Sequence, residues 1–167
     1  MIIRKIRIEG MVAFVPLTQG YETFIDADDA IFVEGFNWCA MVRKYTVYAV
    51  RSTHGRSNRL IRMHRLLMSA PDGMEVDHED GNGLNNMRSS NLRLATRPQN
   101  ASNQRIRSDN DSGFKGVSWH KKSNKWVAQI AKHGKISHLG LFSTRECAYK
   151  AYCEASACLH GDFGITP

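Results

Sequence analysis

The chain has 167 residues, with 23 Lys and Arg against 16 Asp and Glu, a formal charge of +7, and 42% hydrophobic residues. This is the composition of one domain or two small ones, and it excludes wholesale disorder and collagen-like or low-complexity sequence. Apolar runs are only a few residues long, so no membrane partner is expected: a span needs about 20 apolar residues and a secretory signal core roughly 7 to 15.

Residues 1–58 read as a β-rich segment with one short helix. Asp26-Ala27-Asp28-Asp29 forms an acidic N-cap and first turn ahead of Ile31, Phe32 and Val33. Thr46-Val47-Tyr48-Ala49-Val50 alternates like a strand, and His54-Gly55-Arg56-Ser57-Asn58 is turn chemistry. No catalytic pattern stands out there. Leu60 to Met68 reads as a strand entering a helical turn that Ser69-Ala70-Pro71-Asp72-Gly73 ends. His64 falls among its apolar positions, as packing histidines usually do, with a minor role at phosphate the alternative.

Met74 to His78 is a short strand that opens into a Gly- and Asn-rich loop, and Asn91 to Thr96 alternates as a second strand. Arg97 to Gln104 starts a helix, with Thr96 as N-cap and Pro98 in the first turn. Ser108 to Ser112 is polar and apolar-free, a linker. Phe114 to Trp119, Lys125 to Lys132 and Ile136 to Phe142 then read as three strands. Ser143-Thr144-Arg145-Glu146 caps a helix that runs on Ala148, Tyr149, Ala151, Tyr152, Ala155, Ala157 and Leu159 to Gly161. Trp119 and Trp126 are expected in the core or packed on the sheet. Cys39, Cys147, Cys153 and Cys158 contain no C-x-x-C pair and read as reduced, buried thiols of a cytoplasmic chain, with no structural zinc.

Charge is unevenly placed. Arg88 to Gly140 holds eleven Lys or Arg against two Asp, and Arg43 to Arg65 holds seven against no acid. Between these blocks Asp72, Glu75, Asp77, Glu79 and Asp80 are five acids with no base. Basic blocks of this kind suit a polyanion, because neutralising phosphates dominates nucleic-acid affinity. The acids between them look like a cation site facing a phosphate backbone.

The sharpest pattern is Asp77-His78, Asn91 and Asn100 on a strand, loop, strand and helix. Asp77 and Asn100 offer the hard oxygens that Mg²⁺ prefers, and a neutral histidine beside them takes a proton from water near neutral pH. Asp77 and Asn100 are also residues that cap turns and helices. Arg93, alternating with Leu92 and Leu94, is expected to point away from their face toward DNA.

Val76-Asp77-His78-Glu79-Asp80-Gly81-Asn82, with Asn85-Asn86, Ser90-Asn91-Leu92-Arg93 and Thr96-Arg97-Pro98-Gln99-Asn100, resembles the HNH endonucleases in the variant that ends in Asn. The resemblance implies a ββα-metal module that hydrolyses DNA with one divalent ion, Mg²⁺ or Mn²⁺. It implies His78 as general base, Asp77 and Asn100 as metal ligands, and Asn91 as the residue that ties the loop.

Phe114-Lys115-Gly116-Val117, Lys125-Trp126-Val127-Ala128-Gln129-Ile130, His138-Leu139-Gly140-Leu141-Phe142 and Ala148-Tyr149-Lys150-Ala151-Tyr152 resemble the ethylene-response-factor (AP-two) DNA-binding domain, which also accompanies HNH units in mobile and phage-borne homing endonucleases. In that family the sheet enters the major groove. The matching positions are Lys115, Ser118, His120, Gln129 and His138, with Lys122 and Lys132 at phosphates. Ser118, His120 and Ala131 stand where the plant pattern has arginine, which removes the commonest contact to guanine.

The expected fold class is therefore α+β: residues 1–58, an HNH module at 59–107, a linker at 108–112 and an AP-two-like domain at 113–165. The expected activity is metal-dependent cleavage of double-stranded DNA in the cytoplasm of a host bacterial cell, with no small-molecule cofactor. The alternative is a non-catalytic DNA-binding regulator that keeps an HNH fold.

Overall fold

Along Val12–Pro16 alternate residues are buried, Ala13 and Val15 at 0% and 3% exposure, the period of a half-covered strand. This strand (β2) lies between β1 (Arg7–Glu9) and β3 (Glu22–Asp26) in an antiparallel sheet. A 3-10 turn, Ala27–Asp29, leads into the one-turn helix α1 (Ala30–Val33). A second antiparallel sheet holds β4 (Cys39–Val42), β5 (Val47–Ser52) and β6 (Leu60–Arg62), followed by α2 (Met63–Leu67). The hairpin of β7 (Glu75–His78) and β8 (Leu92–Ala95) completes this part.

The computed structural model describes residues 3–53, 59–103, 106, 109–132 and 134–164. The expected turn at His54–Asn58 and Ser108 of the expected linker lie outside the described residues. Two compact units emerge, Met1–Thr96 and Arg97–Pro167. The expected divisions after residues 58 and 107 fall inside these units rather than between them.

The first unit has one core. Ala13, Val15, Leu17, Ile25, Val33, Trp38, Ala49, Met63 and Leu67 pack together. Trp38 is fully buried, with its indole N–H satisfied by the Val33 carbonyl at 3.0 Å. Strands, α1 and α2 all contribute, and Leu84 of the loop after β7 packs against this core.

The second unit carries α3 (Arg97–Ser102), then the antiparallel sheet β9 (Val117–His120), β10 (Lys125–Lys132) and β11 (Lys135–Phe142) with β10 central, and α4 (Arg145–His160). Thr144 caps α4 by accepting from the Cys147 N–H at 3.2 Å. Val117, Ala128 and Ala148 form the small core, with Phe114, Trp126, Phe142 and Tyr149 packed on it. Gly116 has φ +71°, and a Cβ there would collide with the Tyr152 ring. The position demands glycine on both grounds.

Two expectations change. Cys39, Cys147 and Cys158 are exposed and Cys153 is half-buried, because α4 turns Ala148, Tyr152 and Ser156 inward and its cysteines lie off that face. Trp119 is 43% exposed, since it stands on an edge strand, although its ring still meets Trp126 edge-on at 5.0 Å. Among the described residues no helix is long and apolar enough to cross a membrane.

Candidate active site

Strand β7 ends with Val76, Asp77 and His78 all buried. Burying a carboxylate is costly unless it is paired, and the register supplies the partner. Asp77 stands opposite Arg93 on β8, whose Nε and Nη2 both reach Asp77 Oδ2, at 2.9 and 2.8 Å. Arg93 Nη1 also lies 3.7 Å from Glu79. The Arg93 side chain is only 17% exposed, so the guanidinium expected to face DNA is engaged with the acid expected to hold a metal.

His78 is 7% exposed, and its Nε2 lies 3.2 Å from Asn86 Oδ1. The His64 ring meets it edge-on with centroids 5.0 Å apart, and Tyr48 stands 6.0 Å away. Burial pushes the His78 pKa down, opposed by the Asn86 hydrogen bond and by the charges of Asp80 and Asp77. His64, 6% exposed, is pushed down to about 3 by burial, then by His78, Arg62 and Arg65. Both rings are neutral near pH 7, the state in which an imidazole accepts a proton.

The loop that joins β7 to β8 is held by its own amides. Asn91 Oδ1 accepts from the Asp80 N–H at 3.0 Å, and its Nδ2 donates to the Asn85 carbonyl at 2.7 Å. Asp80 in turn accepts from the Asn82 N–H and from Asn85 Nδ2, both at 2.7 Å. Arg88 pairs with buried Asp29 at 2.7 Å, and Ser89 donates its N–H and hydroxyl to Asp26. Asp29 is raised by burial despite Arg88. Asp26, whose burial acts upward, ends up lowered by its Ser89 and Arg88 hydrogen bonds. The acidic turn at 26–29, read as helix capping, thus grips the far end of the loop.

Sequence reasoning missed Asn86 and Thr23. Asn86 is fully buried and donates through Nδ2 to Thr23 Oγ1 at 2.7 Å. Thr23 carried no signal, standing 55 positions before His78 in a strand with no motif. Asn86 was visible as a loop asparagine of the HNH-like stretch, with no role of its own. His64, read as a packing residue, is that and also a neighbour of His78.

Among the described residues no three His, Cys, Asp or Glu side chains converge on one point. A closed zinc site needs four such ligands. A carboxylate and amide oxygens are the donors that a hard cation takes while it keeps water and phosphate in its other positions.

An uncharacterized HNH endonuclease of Acanthamoeba polyphaga mimivirus is 32% identical over 164 residues, covering 93% of this chain and 81% of that protein. The chain belongs to the HNH endonucleases. Residues 69–102 match the HNH endonuclease family and 112–162 match the AP2 domain. Protein 3.8 of Escherichia phage T7 is 42% identical over 65 residues, 39% of this chain, and the chain spans about half of that relative, 53%. No solved structure matches it.

The HNH match ends at Ser102 and so takes in α3, on which Asn100 is half-buried. In the AP2 domain, Ser118, His120, Lys122, Gln129 and His138 are all exposed. Gln129 and His138 stand directly opposite each other on β10 and β11, beside a bulge at Ala128 and Gln129. His120 Nδ1 contacts Ser123 Oγ at 2.7 Å. Lys115 differs: its ammonium donates to the Ser102 carbonyl at the end of α3, and burial lowers its pKa. The Lys132 side chain lies outside the described residues.

Proposed function

We propose that this HNH endonuclease cleaves double-stranded DNA by metal-dependent hydrolysis through a ββα-metal module, in the manner of a homing enzyme acting in the cytoplasm of a host bacterial cell. The observation that carries the reading is His78: a buried imidazole fixed by Asn86, next in sequence to a carboxylate held by Arg93.

In this reading His78 takes a proton from water as the water oxygen attacks phosphorus. The P–O3′ bond breaks, and its electron pair leaves with the 3′ oxygen, which water protonates. One divalent ion, Mg²⁺ or Mn²⁺, supplies stabilisation of the phosphorane-like charge and of the leaving oxygen when bound. Asp77 and Asn100 are proposed as its protein ligands, Asn100 on its position in the matched stretch. Arg93 holds the Asp77 carboxylate in place. Asn91 keeps the loop closed, so that His78 stays aimed. In the AP2 domain, Ser118, His120, Gln129 and His138 are proposed to meet base edges and Lys122 and Lys132 phosphates, with Lys115 acting through its bond to the Ser102 carbonyl.

The test is a supercoiled-plasmid assay at low salt, comparing wild type with His78→Ala in Mg²⁺, in Mn²⁺ and in EDTA. Open-circular or linear product from wild type with metal alone supports hydrolysis. DNA retained uncut under every condition, on plasmids carrying candidate sites, favours the regulator.

A further inference from the structure

The hydrogen-bond chain that reaches His78 from the N-terminal sheet has a readable direction. Thr23 Oγ1 lies 2.6 Å from the Leu84 carbonyl oxygen, and Asn86 Nδ2 lies 2.7 Å from Thr23 Oγ1. A carbonyl only accepts and a hydroxyl has one proton, so the Thr23 proton goes to Leu84. Thr23 Oγ1 is then an acceptor toward Asn86, and only the amide nitrogen can donate to it. The same nitrogen faces the Gly83 carbonyl at 3.5 Å. A flipped amide would set oxygen against oxygen at both places. Asn86 therefore presents Oδ1 to His78, and an acceptor there requires a proton on Nε2.

The chain is also rigid. Thr23 and Asn86 are both 0% exposed. The backbone pins them together, with the Phe24 N–H on the Leu84 carbonyl at 3.1 Å and the Asn86 N–H on the Phe24 carbonyl at 2.8 Å. Strand β3 and the loop tip thus form a short parallel bridge, Phe24 to Asn85.

We propose that Thr23 and Asn86 are positioning residues of the nuclease: anchored on the Leu84 carbonyl, they hold His78 with its proton on Nε2, so that Nδ1 carries the lone pair that removes the proton from the attacking water. This rests on the reading of His78 as general base. In the step, a water O–H bond breaks and the proton joins Nδ1. The ring becomes an imidazolium that still donates from Nε2 to Asn86, and the water oxygen forms its bond to phosphorus. Asn86 therefore favours the ring both before and after proton transfer. The proposal gives the first 50 residues a part in the chemistry.

Two measurements test it. Long-range ¹H–¹⁵N correlation of the histidine rings in the intact wild-type protein near pH 8 reads the tautomer of His78, assigned by the signal that His78→Ala removes. The expected form is Nε2–H, and an Nδ1–H ring in an active enzyme overturns the proposal. In single-turnover cleavage, Thr23→Val keeps the shape and removes the hydroxyl. It is expected to slow the chemical step by about tenfold with DNA affinity unchanged, and Asn86→Ala by more, up to the general-base range of about 10²–10⁴-fold. Thr23→Ser, which keeps the hydroxyl, is expected to restore the rate. Thr23→Val cutting at the wild-type rate overturns the proposal; if that variant does not fold, the wild-type tautomer decides. A wild type that cuts no DNA under any metal overturns the nuclease reading itself, whatever its tautomer.

Discussion

The loop around His78 and the exposed sheet face of the AP2 domain handle polar groups in opposite ways. In the loop, Asn91, Asp80 and Asn85 are already bonded to one another, and Asn86 is bonded to Thr23 of β3. On the sheet, Ser118, Gln129 and His138 are exposed, and His120 contacts Ser123 in the neighbouring turn. Chemistry gains from donors and acceptors fixed before the substrate arrives, because no reorganisation is then required in the transition state. Binding gains from groups that exchange water for phosphate and base edges. The two regions should therefore fail separately and differently.

The largest expected effect breaks the first region alone. His78→Ala removes the proposed base and should slow cleavage by about 10²–10⁴-fold. DNA affinity, measured by gel shift in EDTA, should stay within about twofold, since the sheet is untouched. An equal loss of affinity would mean that the loop contributes to binding, and the division of labour would fall.

Gly116→Ala breaks the second region. The residue has φ +71° and its new methyl would strike the Tyr152 ring. The backbone strain is about 1–2 kcal/mol and overpacking adds about 1–3 kcal/mol. Thermal denaturation is expected to show a lowered transition with DNA affinity lost, while the ring signals of His64 and His78 persist.

How much of this could be read from sequence follows the same division. The strands and α4 of the second unit were legible because alternation, a Thr144 cap and helical Ala and Tyr spacing are local signals. The motif residues Asp77, His78 and Asn91 were legible too, because spacing within a short stretch carries them. Thr23 was not, since its role depends on β3 lying against a loop some 60 residues later. Arg93 was legible as a strand residue facing away from Leu92, but its partner was not: only the β7–β8 register sets it opposite Asp77. Asp26 and Asp29 present the same difficulty. Their local pattern is a helix cap, and their observed partners are Ser89 and Arg88. The exposed thiols of α4 were misjudged because its apolar spacing does not reveal which side meets the sheet.

A smaller effect separates His64 from the proposed base, His78. His64 is held neutral by burial, its ordinary value of 6.5 brought to about 3, while the unfolded chain protonates normally. Below pH 6.5 the unfolded state therefore binds more protons at this site than the folded state. Stability should fall as pH drops from 6.5 toward 3, and this ring contributes no slope above that window. One such group gives at most about 1.4 kcal/mol per pH unit. His78 acts in the same direction. Urea unfolding of wild type and His64→Phe between about pH 7 and pH 5 should show a shallower loss in the variant. Parallel curves would mean that the native ring titrates normally and is not sealed.

The smallest effect sharpens the account of the sheet. Lys122 lies in the turn between β9 and β10 and is exposed, so a phosphate contact there would add one released counterion and no sequence information. Lys122→Ala should weaken binding about equally for all duplexes and reduce the slope of log affinity against log salt by about 1. Gln129→Ala should do the opposite, leaving the salt slope unchanged and lowering discrimination between duplexes, because an amide reads a base edge rather than a charge. Finding both changes in one variant would mean that backbone and base contacts on this sheet are not separate groups. Finding neither would move the DNA-binding surface away from β9 and β10 altogether.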